Sequence, residues 1–135
     1  EKYFQVPRNT KNAYNAFFYF SIQENTPLRK SITIIESDES CCSYLHLLTY
    51  NNNNKLISNN VVAGSGGDGG WGLKAYGKFN SSSIYEYTSI EEETTRDDPD
   101  TVEAEIDSVI VKFKVDKNLN FKKISEQKFK YKKLY

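Results

Sequence analysis

Val102-Glu-Ala-Glu-Ile-Asp-Ser-Val-Ile-Val-Lys-Phe-Lys-Val115 and, a short turn later, Asn120-Phe-Lys-Lys-Ile-Ser-Glu-Gln-Lys-Phe-Lys-Tyr-Lys-Lys-Leu134 decide the fold of this chain. Apolar and charged residues alternate with a period of two, the signature of half-buried strands. The first run changes phase. Val102, Ala104 and Ile106 share one face, whereas Val109, Val111, Phe113 and Val115 continue on the other. A one-residue slip near Ser108 predicts a β-bulge there, and burial on both faces is the alternative.

Outward from this pair, the same texture covers the chain. Further apolar or β-branched runs lie at Tyr14 to Gln23, Ser31 to Glu36, Ser43 to Tyr50, Lys55 to Ala63, Leu73 to Phe79 and Ser83 to Glu93. Asn, Gly, Ser and Asp clusters separate them. About eight strands at this spacing predict a single all-β domain over residues 1–135, an antiparallel β-sandwich or a barrel-like meander. Val, Ile, Thr, Tyr, Phe and Trp supply 44 residues against 13 for Ala, Leu and Met, a bias toward sheet. Tyr14 to Gln23 carries aromatics on both faces and reads as a central strand. Asn51 to Asn54 reads as a turn, because Asn tolerates the left-handed conformation.

The net charge is zero, eighteen Lys plus Arg against eighteen Asp plus Glu, which argues against a nucleic-acid partner. Position undoes the neutrality. Glu86 to Asp107 carries a net −9 and Lys112 to Tyr135 a net +7. Folding Ser83–Glu93 against Val102–Val115 about a loop at Thr94 to Thr101 predicts Ile90 opposite Ile106. It also sets Glu93 opposite Glu103 and Glu91 opposite Glu105, and like charges across a ladder repel. Folding the last strand back about Lys117 and Asn118 then answers the acids. Asp107 meets Lys128, Glu105 meets Lys130 and Glu103 meets Lys132, while Ile106 meets Phe129 and Ala104 meets Tyr131. The acids of the loop Glu91 to Asp100 have two further readings, a calcium site at Asp97, Asp98 and Asp100, or a partner surface. The spacing lacks the glycine and terminal glutamate of an EF-hand loop.

All seven glycines fall between Gly64 and Gly77. Gly64-Ser-Gly-Gly-Asp-Gly69 has the form G-x-G-x-x-G, but a dinucleotide site needs a helix next, and a strand pattern follows. Ala63-Gly-Ser65-Gly-Gly67 has the outline of a nucleophile elbow, for which His46, the one histidine, is the only base. The segment therefore reads as a long, mobile connection. Asp68, Trp71 and Tyr76 are the candidate ligand- or partner-binding residues, an acid and two aromatics in the most flexible part of the chain. No catalytic residue, metal ligand or cofactor is expected. Cys41 and Cys42 are expected as two packing thiols, with a vicinal or intermolecular disulfide as the alternative. Cys42 and His46 would sit ~13 Å apart along a strand, too far for one metal.

Leu48-Thr-Tyr-Asn-Asn-Asn-Asn-Lys-Leu-Ile57, Val62-Ala-Gly-Ser-Gly-Gly-Asp68 and Gly77-Lys-Phe79 together resemble a pattern in small exported, often lipid-anchored β-rich proteins of the Gram-negative cell envelope. Those proteins have Asp and Gly inside the first turn, where this chain has Asn. The resemblance spans Tyr44 to Glu93. It implies a β fold and a periplasmic, outer-membrane-anchored or secreted location, and it carries no activity. The absence of Met fits a removed leader, and with it a membrane tether through the missing segment, or trimming of the chain. The functional expectation is a non-catalytic envelope binding or protein-interaction domain with an unknown protein or glycan partner. The alternatives are an immunity or inhibitor protein contacting a toxin or enzyme through Glu91 to Asp100, and a carboxylate-dependent glycan hydrolase.

Overall fold

A computed structural model describes residues 15–38, 40–98 and 100–135. Eight strands follow one another: β1 (Asn15–Asn25), β2 (Arg29–Asp38), β3 (Cys42–Asn51), β4 (Leu56–Asp68), β5 (Trp71–Ser81), β6 (Ile84–Asp98), β7 (Thr101–Val115) and β8 (Phe121–Leu134). Each pairs antiparallel with its sequence neighbour, so the sheet is an eight-stranded meander in the order β1 to β8. It is open. β1 and β8 are its two edges, and the ladder does not close into a barrel.

Turn chemistry explains the meander. Gly69 and Gly70 join β4 to β5 with φ of +53° and +98°, the paired positive angles of a type I′ hairpin turn, which glycine adopts without a Cβ penalty. The long mobile glycine connection is thereby corrected. Gly64, Gly66 and Gly67 lie within β4, and only two residues turn. Asn54 has the left-handed φ of +57° that its residue type permits, and Asn51 Oδ1 accepts from the amides of Asn53 and Lys55 at 3.0 Å. Asp116 shapes the β7–β8 turn in the same way. Its carboxylate accepts from the Asn118 amide (2.7 Å), the Asn120 amide (3.0 Å) and Asn120 Nδ2 (2.9 Å).

The core sits on β2 and β3. Ile32, Ile34, Leu48 and Tyr50 form a buried cluster against which Phe17 and Leu56 pack. Ser31, Thr33, Leu47 and Thr49, on the opposite face of the same strands, are buried too. β1 is not central as expected. Phe18, Tyr19, Phe20 and Ile22 are all exposed, and the strand pairs with β2 alone among the described residues. Tyr14 lies outside the described residues.

A seam runs between β4 and β5, which pair only over Gly64–Asp68 and Trp71–Ala75. Beyond that the lower half of β4 pairs with β3 and the lower half of β5 with β6. Tyr85 bridges the gap. Its ring lies over Gly77, where a Cβ would overlap it, and its hydroxyl donates to the carbonyl of Val62 at 2.6 Å. Val62 falls where the β3–β4 register slips, and the phenol occupies its carbonyl from across the seam. Phe79, Phe113 and Phe121 surround the ring or its neighbours edge-to-face, with centroids 5.0 to 6.5 Å apart.

The charged strands pair in the expected order but two residues out of the expected register. Glu91 faces Asp107, Glu93 faces Glu105 and Ile90 faces Ser108. On the other side Asp107 faces Lys130, Glu105 faces Lys132, Ile106 faces Tyr131 and Ala104 faces Lys133. The causes are local. The β7–β8 turn takes three residues where two were expected, and a bulge opposite Lys112/Phe113 adds another. Between β6 and β7 the strands run on to Asp98 and Thr101, with a shift between Thr94 and Arg96. Thr94 to Asp98 is therefore strand, not loop. No slip occurs at Ser108. The register runs unbroken there, and Ser108 to Val111 are half-buried on both faces.

A shift of two keeps every side chain on its face. Lys130 still reaches Glu105 (3.0 Å) and Lys132 still reaches Glu103 (2.5 Å), now as diagonal neighbours. Lys128 pairs with Glu126 instead of Asp107, and Lys130 takes Asp107 as a second partner at 3.5 Å.

Cys41 and Cys42 form a vicinal disulfide, which corrects the expectation of two packing thiols. Successive residues of a strand point to opposite faces, which would hold two adjacent sulfurs apart. Cys41 lies in the bend before β3, with its carbonyl accepting from the Gly67 amide at 3.3 Å, so strand alternation does not hold the two sulfurs apart. Gly66 leaves the room; a Cβ there would lie 2.7 Å from Cys42 Sγ.

Candidate functional site

Four long strands, β5 to β8, present two faces of opposite character. On the first, cross-strand rows run Trp71–Glu93–Glu105–Lys132 and Leu73–Glu91–Asp107–Lys130. This is the charged face. The hydrogen bond from Lys130, and then its charge, holds the Glu105 carboxyl below the usual carboxylate range, and the same contacts raise Lys130. Among the described residues no group of three His, Cys, Asp or Glu is arranged to hold a metal, and the Asp97 side chain lies outside them.

The second face is aromatic and aliphatic. Its rows run Tyr76–Thr88–Ile110–Gln127, Lys74–Ile90–Ser108–Phe129 and Gly72–Glu92–Ile106–Tyr131. Tyr135 completes it, with its hydroxyl donating to Glu92 and its ring 3.9 Å beneath Lys133 Nζ. Tyr76, Phe129, Tyr131 and Tyr135 are 55%, 49%, 52% and 57% exposed. Phe129, Tyr131 and Tyr135 cluster at the β8 edge of this face, and Tyr76 stands about 14 Å away across three ladders, so half-exposed rings border it on both sides. A depression of about 420 Å³ adjoins it, bordered by Gly70, Gly72, Lys74, Ile90, Glu92 and Thr94.

The three sequence candidates divide between these faces. Asp68 and Trp71 are a cross-strand pair flanking the Gly69–Gly70 turn, and Trp71 is half-buried on the charged face. Tyr76 is five residues along β5 and, by strand alternation, points to the aromatic face. The turn brings Asp68 and Trp71 together and leaves Tyr76 on the face that carries Phe129 and Tyr131, three strands away. The latter two were overlooked because the register assigned them to packing against Ile106 and Ala104. Their signal is Lys128-Phe-Lys-Tyr-Lys132, where every second residue is aromatic.

The remaining motifs do not assemble into chemistry. β4 passes through a two-residue turn into β5, so no helix follows the G-x-G-x-x-G segment. Ser65 faces Ser43, three places from His46, and therefore lies on the opposite side of the sheet from it. His46 is engaged elsewhere, with Nδ1 2.9 Å from Asn59 Oδ1 and Nε2 2.8 Å from Glu36 Oε2. No protein family matches this chain, and no curated protein and no solved structure matches it.

Proposed function

We propose that this chain is a non-catalytic binding domain of the cell envelope or exterior, which engages a protein or glycan partner through the aromatic face of β5 to β8. One observation carries the reading: Phe129, Tyr131 and Tyr135 stand half-exposed together along β8, on the face that also carries Tyr76 and a depression edged by Lys74 and Glu92. Aromatic rings bring large contact area at low conformational cost, and Tyr adds a hydrogen-bonding tip. The envelope location rests on the sequence resemblance alone.

A second reading has its own observation. On the charged face Lys130 and Lys132 answer Glu105, Asp107 and Glu103, yet no ion pair to Glu91 or Glu93 forms among the described residues. Two such acids beside Trp71 suit an inhibitor or immunity protein with a basic target.

Binding to an array of envelope glycans and peptidoglycan fragments, and to secreted enzymes and toxins encoded beside this chain, separates the readings. Phe129→Ser with Tyr131→Ser should abolish binding while the circular dichroism spectrum is unchanged. Loss on Glu91→Lys with Glu93→Lys instead would transfer the site to the charged face. Retention by both double variants would overturn both.

A further inference from the structure

A second cavity, of about 400 Å³, lies at the seam on the side of the sheet that carries the charged face, and shares no lining residue with the rows described above. Its size is within the range of small-molecule pockets. One wall is polar: Gln23 from β1 with Ser31 and Thr33 from β2. The other is apolar, built from Leu45, Leu47, Val62, Phe79 and Tyr85, with Leu119 of the β7–β8 turn. Leu119 has a φ of +57°, a conformation a leucine rarely adopts. Its turn is held there by Asn60 Nδ2, which donates to the Leu119 carbonyl at 3.3 Å, and by Arg29, which donates to the Lys117 carbonyl.

The charges that line this cavity are already answered. Glu24 accepts from Arg29 Nε at 2.7 Å, and Lys78 lies 3.8 Å from Glu86. An ionic ligand would have to compete with these pairs. A hydroxyl on the ligand would not, because the Gln23 amide and the Thr33 hydroxyl each combine donor with acceptor sites. Thr33 Oγ1 spends part of that capacity on Ser21 Oγ at 2.8 Å.

From the two unlike walls and the neutralised charges we infer that the seam cavity binds an uncharged amphipathic small molecule. Its apolar body lies against Leu45, Leu47, Phe79 and Leu119, and its hydroxyl meets Gln23 and Thr33. The site is separate from the partner-binding face, and failure of one reading leaves the other standing.

The test is a titration of the ¹⁵N-labelled full chain with 1-octanol, and in parallel with octanoate, followed by amide shifts. Octanol should shift the amides of Leu45, Leu47, Ala63 and Leu119 saturably, and octanoate should bind more weakly. Absence of a saturable shift, or shifts centred elsewhere, overturns the site. Octanoate binding as tightly as octanol overturns the assignment of a neutral ligand. Ala63→Phe should fill the cavity and abolish the response, and an undiminished response would count against the proposal. Should that variant not fold, Thr33→Val preserves shape and leaves Ser21 Oγ its bond from Gln23 Nε2 at 2.6 Å. Octanol affinity should then fall ~2–10-fold, the equivalent of one neutral hydrogen bond, and an unchanged affinity overturns the polar wall.

Discussion

Tyr85 does three things with one side chain: it fills the space over Gly77, supports the Phe79–Phe113–Phe121 cluster and donates to Val62 across the seam. Tyr85→Phe keeps the ring and leaves a carbonyl without its partner, so it should cost about 1–3 kcal/mol in a urea titration. Gly77→Ala forces the ring away and should cost a similar amount, ~1–3 kcal/mol, as an overpacked site does. Burial, and next the neighbouring Tyr87, pushes the Tyr85 phenol up to about 12. The folded state therefore keeps a proton that the unfolded chain releases near its ordinary value of ~10. The Tyr85 contribution to stability is complete below pH ~10 and declines as pH rises toward 12. Burial raises Tyr50 and Tyr87 too, so ultraviolet difference titration should show several tyrosines ionising late, and Tyr85→Phe should remove the last phase. None of this was visible in Tyr85-Glu-Tyr-Thr, since the role depends on where β4 and β5 part.

At the scale of the strand pair, Lys130 sits between Glu105 and Asp107, and Glu91 and Glu93 face acids across the β6–β7 ladder. Lys130→Glu should therefore lower the melting temperature more than Glu105→Lys, because it adds a third acid to two. The double exchange should recover part of the loss by way of the restored Glu105–Lys130 contact. Melting curves of the four proteins decide it, and a double variant no better than Lys130→Glu would show that the contact does not support the pair. These groups are exposed, so each effect is small and shrinks with salt. The depressed Glu105 loses its contribution as pH falls below the carboxylate range, and the raised Lys130 loses its own only at strongly alkaline pH. The vicinal disulfide is also an element-scale feature. It joins neighbours and closes no long loop, so reduction should leave the melting temperature nearly unchanged. A large drop would show that the bend before β3 depends on it.

For the molecule as a whole, the buried cluster at β2 and β3 is the main core, and Ala75, Tyr85, Ala104, Ile106 and Val115 are buried on β5 to β7. Leu48 is completely buried, and Leu48→Ala should cost about 2–5 kcal/mol in chemical denaturation. The same truncation at Leu134, at the exposed end of β8, should be close to neutral. Phe129 and Tyr131 should also tolerate serine, which is what makes them usable probes of binding. An unaltered melting temperature in Phe129→Ser/Tyr131→Ser would show that the aromatic face is not a disguised core.

Local sequence determined the elements. Period-two alternation produced strands, the asparagine tetrad produced a turn, and opposite charge blocks brought β7 and β8 together. Each of these acts between residues close in sequence or through a face-wide pattern, so each is legible without coordinates. Register, closure and exposure were decided by tertiary structure. One extra turn residue and one bulge moved β8 by two positions without changing any face, a choice to which alternation is blind. Aromatics at Phe18, Tyr19 and Phe20 suggested a central strand, yet the meander order made β1 an edge. Tyr76 was legible as a candidate, but Phe129 and Tyr131 lie on a strand three ladders away, and only the assembled sheet puts all three on one face.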